Sequence, residues 1–264
     1  MGVLYKKVER DLIKPGDHIY SWRSAYIYAH HGIYAGDGKV IHFTRGEGQG
    51  IGTRTALDKF IFSSSPSHNP DNPCPNCGDQ SRLDGVICSC LDCFLAGGDL
   101  YLFEYDVKVA FFLAKARGGT CTLAKSDPPE DVLHRSSFLL ENGFGVYHIF
   151  KNNCVDFAIF CKTGLLVSTN IFSVRRSGLA ASFLAFANTV MPSRLRFLTT
   201  NFGGLAVVGN FGGLAVVGAG MYCVSRLVND MGFRSDVVKV PVETLVECFG
   251  TRSTESETGA AKVD

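Results

Sequence analysis

The chain lacks a charge imbalance: 26 Lys and Arg against 25 Asp and Glu in 264 residues leave a formal net charge of +1. Without a broad basic field, the long-range attraction behind most nucleic-acid binding is missing, so no nucleic-acid partner is expected. The first residues, MGVLYKKVERD, lack the apolar core of about 7–15 residues that a secretory signal needs. Lys6 stands where the myristoylation pattern after Gly2 has Ser or Thr. Also missing is a distributed disulfide framework. Of ten cysteines, Cys74, Cys77, Cys88, Cys90 and Cys93 crowd into one stretch, which suits thiols or metal in a reducing compartment. The expected location is cytoplasmic, with membrane association left open.

Hydrophobic residues make up 46% of the chain and charged ones 19%, enough for one good core with extras. Lys14-Pro15-Gly16-Asp17 is a turn signal, and His18–Trp22 after it reads as a strand. Tyr26–Phe43 holds two β-rich runs around Gly36-Asp37-Gly38, a hairpin. The polar, cysteine-bearing segment at about 63–98 reads as a long loop or insertion, after which the alternation over Asp99–Val109 predicts another strand. Asp127-Pro128-Pro129-Glu130 opens a helix with a stripe of Val132, Leu133, Ser136, Leu139 and Leu140, closed by Asn142-Gly143. Phe144–Phe150 predicts a short strand, and the helix after Asn153 stops at Gly164. Leu179–Val190 is a further helix candidate, and NFGGLAVVG at 201–209 is repeated unchanged at 210–218. The expected class is α+β: an antiparallel sheet with packed helices over 14–166, an apolar, Gly-rich helical appendage over 167–250 and a disordered tail over 251–264.

A thiol attacks as thiolate, which a helix N-terminus and a nearby imidazole both favour. Asn153 as N-cap with Asp156 three residues on places Cys154 at the first helical position. Phe157, Ala158, Cys161 and Leu165 follow at helical spacing, so the face bearing the thiol packs inward. The hairpin supplies His30, His31 and His42. A two-residue Asp37-Gly38 turn pairing Gly36 with Lys39 puts His31 on the face of His42, whereas a three-residue loop pairing Ala35 with Lys39 brings in His30. The physics of the turn leaves both open.

The run from His30 to His42, HHGIYAGDGKVIH, resembles the H-x-[AG]-[IL]-Y-x-G-x-G-x-V-[IV]-H signature of lecithin retinol acyltransferase-like (LRAT-like) proteins. Asn153-Cys154-Val155-Asp156-Phe157 is similar to their N-C-E-x-F box, with Val155 where animal members carry Glu. The likeness is strongest to plant proteins with this domain, and it covers roughly Lys14 to Leu166. It implies a permuted NlpC-type papain-like fold with Cys154 as nucleophile, His30 as base and His42 as the residue that orients it. It thereby favours the register that pairs Ala35 with Lys39.

The implied activity is cysteine-dependent acyl transfer or phospholipase A hydrolysis on a phospholipid or other acyl lipid, through an acyl-thioester and without a catalytic cofactor. The rivals are a thiol peptidase of the same fold and a non-enzymatic metal-binding scaffold. Cys74-x2-Cys77 and Cys90-x2-Cys93, twelve residues apart, have the spacing of a four-thiolate structural zinc site. Phe202–Val224 is a 23-residue run without charge, long enough for a bilayer core of about 30 Å but rich in glycine; with Leu179–Val190 it is the expected membrane contact.

Overall fold

The run after the Lys14–Asp17 turn forms strand β1 (His18–Arg23) in a computed structural model that describes residues 6–23, 26, 28–45, 73–80, 83–115, 117–145, 152–167 and 219–249. The hairpin follows as β2 (Tyr28–Gly36) and β3 (Lys39–Thr44). With β4 (Gly85–Cys90) and β5 (Tyr101–Leu102) they make a five-stranded antiparallel sheet in the order β4-β3-β2-β1-β5. The α+β class is as expected. The segment read as an insertion supplies an edge strand, β4, and the short helix α1 (Leu91–Leu95) directly after it.

Asp37 and Gly38 both have positive φ, +51° and +69°, as a two-residue type I′ turn requires. Gly36 pairs with Lys39, but the next pair is Tyr34 with Val40, so Ala35 is an extra residue, a β-bulge. Beyond it Ile33 faces Ile41 and Gly32 faces His42. The turn is the two-residue one, and the bulge restores the register of the three-residue alternative.

The strand expected over Asp99–Val109 is mostly not formed. β5 pairs only two residues with β1, Glu104 makes an isolated bridge to Cys121, and Val109–Ala114 is helix α2. Helix α3 (Pro129–Asn142) starts and ends as expected, at the proline pair and Gly143. Among the described residues no side chain caps it; the Asp127 carboxylate is drawn instead to Arg135 at 2.6 Å and Lys239 at 2.7 Å. Helix α4 (Cys154–Thr163) stops at left-handed Gly164.

One sheet face packs Ile33, Ile41 and Phe43 against Val132 and Leu139 of α3 and Phe157, Ala158, Phe160 and Cys161 of α4. Truncating a buried aromatic such as Phe157 there would cost about 3–5 kcal/mol. The same core takes Val242 and Leu245, and β6 (Leu165–Val167) pairs with β7 (Val237–Lys239), so residues 237–249 return to the hydrophobic core. The opposite face packs Ile19 and Val40 under Leu91, Phe94 and Leu95 of α1. Leu179–Val190, the 201–218 repeat and most of Phe144–Phe150 lie outside the described residues. Among the described residues, no helix is long and apolar enough to cross a membrane.

Candidate active site and thiol cluster

The capping box forms as expected. The Asn153 side chain accepts the amides of Val155 at 2.9 Å and Asp156 at 3.3 Å, and the Asp156 carboxylate accepts the Asn153 amide at 3.1 Å. Those two amides are therefore committed to the cap. Burial raises the Asp156 carboxyl to about 7, against the pull of that Asn153 hydrogen bond. Cys154, 4% exposed, opens the helix, where the macrodipole favours a thiolate. Its Sγ lies 3.9 Å from the carbonyl oxygen of Ala29, the residue just before His30. The described β2–β3 pairing ends at Gly32 and His42, so the thiol reaches the stretch of β2 beyond that ladder.

His30 and His42 point to the α1 face of the sheet, where Phe94 packs on both rings at 5.3 and 5.4 Å. His30 Nε2 and His42 Nδ1 are 2.9 Å apart, and His42 Nε2 lies 2.8 Å from Ser89 Oγ. All three residues are buried, and His30 Nδ1 has no hydrogen-bond partner among the described residues. Burial, then His42 and Arg23, holds the His30 imidazole well below its usual range; burial, then Arg23, takes His42 to about 3. The close packing explains Gly32: a Cβ there would meet Val40 at 2.8 Å and Phe94 at 2.9 Å.

His31 points the other way, onto the α4 face of the sheet. Its Nδ1 lies 2.9 Å from His18 Nε2, and His18 Nδ1 lies 2.8 Å from the Tyr105 hydroxyl. The ring stacks on Tyr20, and burial takes its pKa to about 3. The alternation of the strand thus gives each neighbouring histidine its own buried chain.

Sequence reasoning missed three residues here. Ser89 is hidden inside Cys88-Ser89-Cys90, although strand alternation there would have set its side chain apart from both cysteines. His18 passed as a strand residue. Arg23 carries a buried guanidinium bonded to the Phe94 and Leu95 carbonyls at the end of α1 and to Ser21 Oγ, with no carboxylate partner among the described residues. Burial depresses its pKa, opposed by Tyr28 and Cys154.

The four predicted metal ligands do come together. The sulfurs of Cys74, Cys77, Cys90 and Cys93 all lie within 4.8 Å of one another, with contacts of 3.2 to 3.7 Å. A tetrahedral thiolate site with metal–sulfur bonds of about 2.3 Å has sulfurs about 3.8 Å apart, so the set is within metal-binding distance. Two turns build it. Gly78 donates to the Cys74 carbonyl at 2.8 Å with φ +66°, and Cys90 caps α1, its sulfur accepting the Cys93 amide at 3.5 Å. The amides of Asn76 and Cys77 pull the Cys74 thiol down to about 6, which favours the thiolate a metal needs, while burial pushes Cys77 and Cys93 up.

A thiol at a helix N-terminus, packed on an antiparallel sheet that carries two hydrogen-bonded histidines, has the parts of a thiol–histidine site. The lecithin retinol acyltransferase family model matches residues 11–167, and the chain belongs to this family. It is 53% identical over 246 residues to Protein LEAD-SENSITIVE 1 of Arabidopsis thaliana, covering 93% of this chain and 90% of that protein.

Proposed function

We propose that this chain is a cysteine-dependent acyltransferase or phospholipase A acting on acyl lipids through an acyl-thioester at Cys154. Family membership supports acyltransferase-type chemistry in general. The single observation that carries the finer reading is the buried His30–His42 pair, whose one nitrogen unpartnered among the described residues, His30 Nδ1, belongs to the residue after the carbonyl that the Cys154 thiol approaches.

In the mechanism, His30 Nδ1 takes the thiol proton and Cys154 Sγ attacks the ester carbonyl carbon. The tetrahedral intermediate collapses by breaking the bond to the glycerol oxygen, which takes the proton back from His30. The acyl group remains as a thioester. Water, or the amine or hydroxyl of an acceptor, then attacks that carbonyl and gives its proton to His30; the carbon–sulfur bond breaks, and the departing Cys154 thiolate takes that proton back. Intact mass measured after incubation with phosphatidylcholine should show an acyl adduct that hydroxylamine removes; protein that turns the lipid over without any adduct at Cys154 would sink the proposal.

The four-thiolate cluster is read as a structural zinc site. Its knuckle turns and the lowered Cys74 pKa support that reading, and the metal would bind deprotonated sulfur and pin the segment around β4 and α1. Membrane contact is assigned to the C-terminal region. The helical run 219–229 exposes Met221, Val224 and Val228 at helical spacing and overlaps the end of the uncharged run Phe202–Val224.

A further inference from the structure

The histidine chain does not end at His42. Its Nε2 lies 2.8 Å from Ser89 Oγ, both groups are buried, and Ser89 sits on β4 opposite Val40, next to Cys90 of the thiol cluster. We propose that Ser89 is a positioning residue for acyl transfer, the hydroxyl that fixes the tautomer and orientation of His42. The inference rests on the reading of Cys154 and His30 given above and extends the site to a strand that the family motif does not include.

The proton arithmetic follows from the two observed contacts. To accept the thiol proton, His30 must be neutral with Nδ1 bare, so its hydrogen is on Nε2 and donates to His42 Nδ1. His42 Nδ1 then accepts, and its own hydrogen is on Nε2, donating to Ser89 Oγ. A hydroxyl can accept from a neutral imidazole without adding charge to a site that already holds the buried Arg23 cation. Without that acceptor, the Nε2–H of His42 would be a buried orphan, and the other tautomer, with hydrogen on Nδ1, meets His30 donor to donor. The ring that receives charge from His30 during the reaction would then turn or lose its bond. The thiol cluster bears on the same residue, because Cys90 follows Ser89, and α1 brings Phe94 over both rings.

The test compares wild type with Ser89→Ala, Ser89→Thr and Ser89→Cys, using dihexanoyl phosphatidylcholine as probe. Alanine should lower kcat by about 10- to 100-fold with little change in KM, threonine should restore most of it, and cysteine, similar in shape but a weak acceptor, should resemble alanine. A purely structural role predicts none of this pattern. Nitrogen-15 spectra of the imidazoles give the direct signature: His42 in wild type carries its hydrogen on Nε2 and should lose that preference in Ser89→Ala and Ser89→Cys. Should alanine fail to fold, the threonine and cysteine pair makes the same comparison. Wild-type kcat in Ser89→Ala or Ser89→Cys, equal loss in threonine, or an unchanged His42 tautomer would overturn the inference. Cys154→Ala separates the two levels: if it turns over the probe at the wild-type rate, the thioester reading fails, while the tautomer spectra still judge Ser89 on their own.

Discussion

His30 and His42 meet at 2.9 Å in the interior because Ala35 bulges out of the strand between Tyr34 and Gly36. If Ala35 paired with Val40 instead of bulging, the two-residue turn would place His31, not His30, on the face of His42. Deleting Ala35 should therefore leave Tyr34 paired with Val40 in a regular two-residue hairpin, keeping His30 coupled to His42 and acyl-enzyme formation intact, with sheet signal retained in circular dichroism. Loss of acyl-enzyme formation in a folded deletion variant would show that register alone does not set the pairing.

Replacing Cys154 by Ala should abolish acyl transfer and leave the fold intact, since one small buried side chain contributes on the order of 1 kcal/mol. Thermal melting and intact mass after lipid incubation check the two halves. Undiminished turnover would end the cysteine-enzyme reading.

The neighbouring histidines should part company in the same way. His30→Gln should slow acyl-enzyme formation by about 10²- to 10⁴-fold, whereas His31→Phe should keep the chemistry and lose about 1–3 kcal/mol, because it breaks the contact to His18. The α4 helix packs on the His31 face, so the outcome discriminates. A His31→Phe variant that melts normally but forms no acyl-enzyme would assign the base to His31.

Acid should unfold the protein early. His31 and His42 stand near 3 in the native state, with His18 and His30 also depressed, against about 6.5 unfolded. The unfolded chain then binds protons that the native one refuses, so this stabilisation is complete above pH 6.5 and is lost as pH falls toward 3. Asp156, raised to about 7, and Asp230, also raised, act in the opposite sense. The buried histidines outnumber the raised carboxylates, so stability should fall as pH drops below about 6.5, by about 1.4 kcal/mol per pH unit for each net proton. Urea midpoints between pH 7 and 4 measure the slope; a flat profile would contradict the buried neutral histidines.

Metal analysis of protein purified without chelator should find one zinc per chain, and its removal should loosen the segment around Cys74–Cys93 before the rest unfolds, seen as local protease cutting. Zinc-free protein with an equally protected segment would refute the structural site. For the membrane, substituting Met221, Val224 and Val228 by Gln should weaken sedimentation with phosphatidylcholine vesicles and spare turnover of short soluble lipids. Cutting after Leu166 is no substitute for this test, because it removes Val242 and Leu245 from the core.

The sequence by itself determined everything governed by neighbours along the chain. The Asn153–Asp156 capping box, the Gly164 stop and the two Cys-x2-Cys pairs depend on hydrogen bonds and φ angles within a few residues, and each was legible in residue type and spacing. Asp127 marks the edge of that reach: its chemistry suited a cap, but Arg135 and Lys239, distant in sequence, compete for the carboxylate. The tertiary structure alone decided what depends on who lies across the sheet. Strand 99–109 ended after two paired residues because β1 offered no longer edge, and a polar, cysteine-rich segment became β4 because β3 had an open one. The same long-range pairing set Ser89 against His42, returned residues 237–249 to the core, and sent His30 and His31 into separate buried chains. A one-residue bulge or a distant edge changes those outcomes without changing any local preference, which is why no window of the sequence contains them.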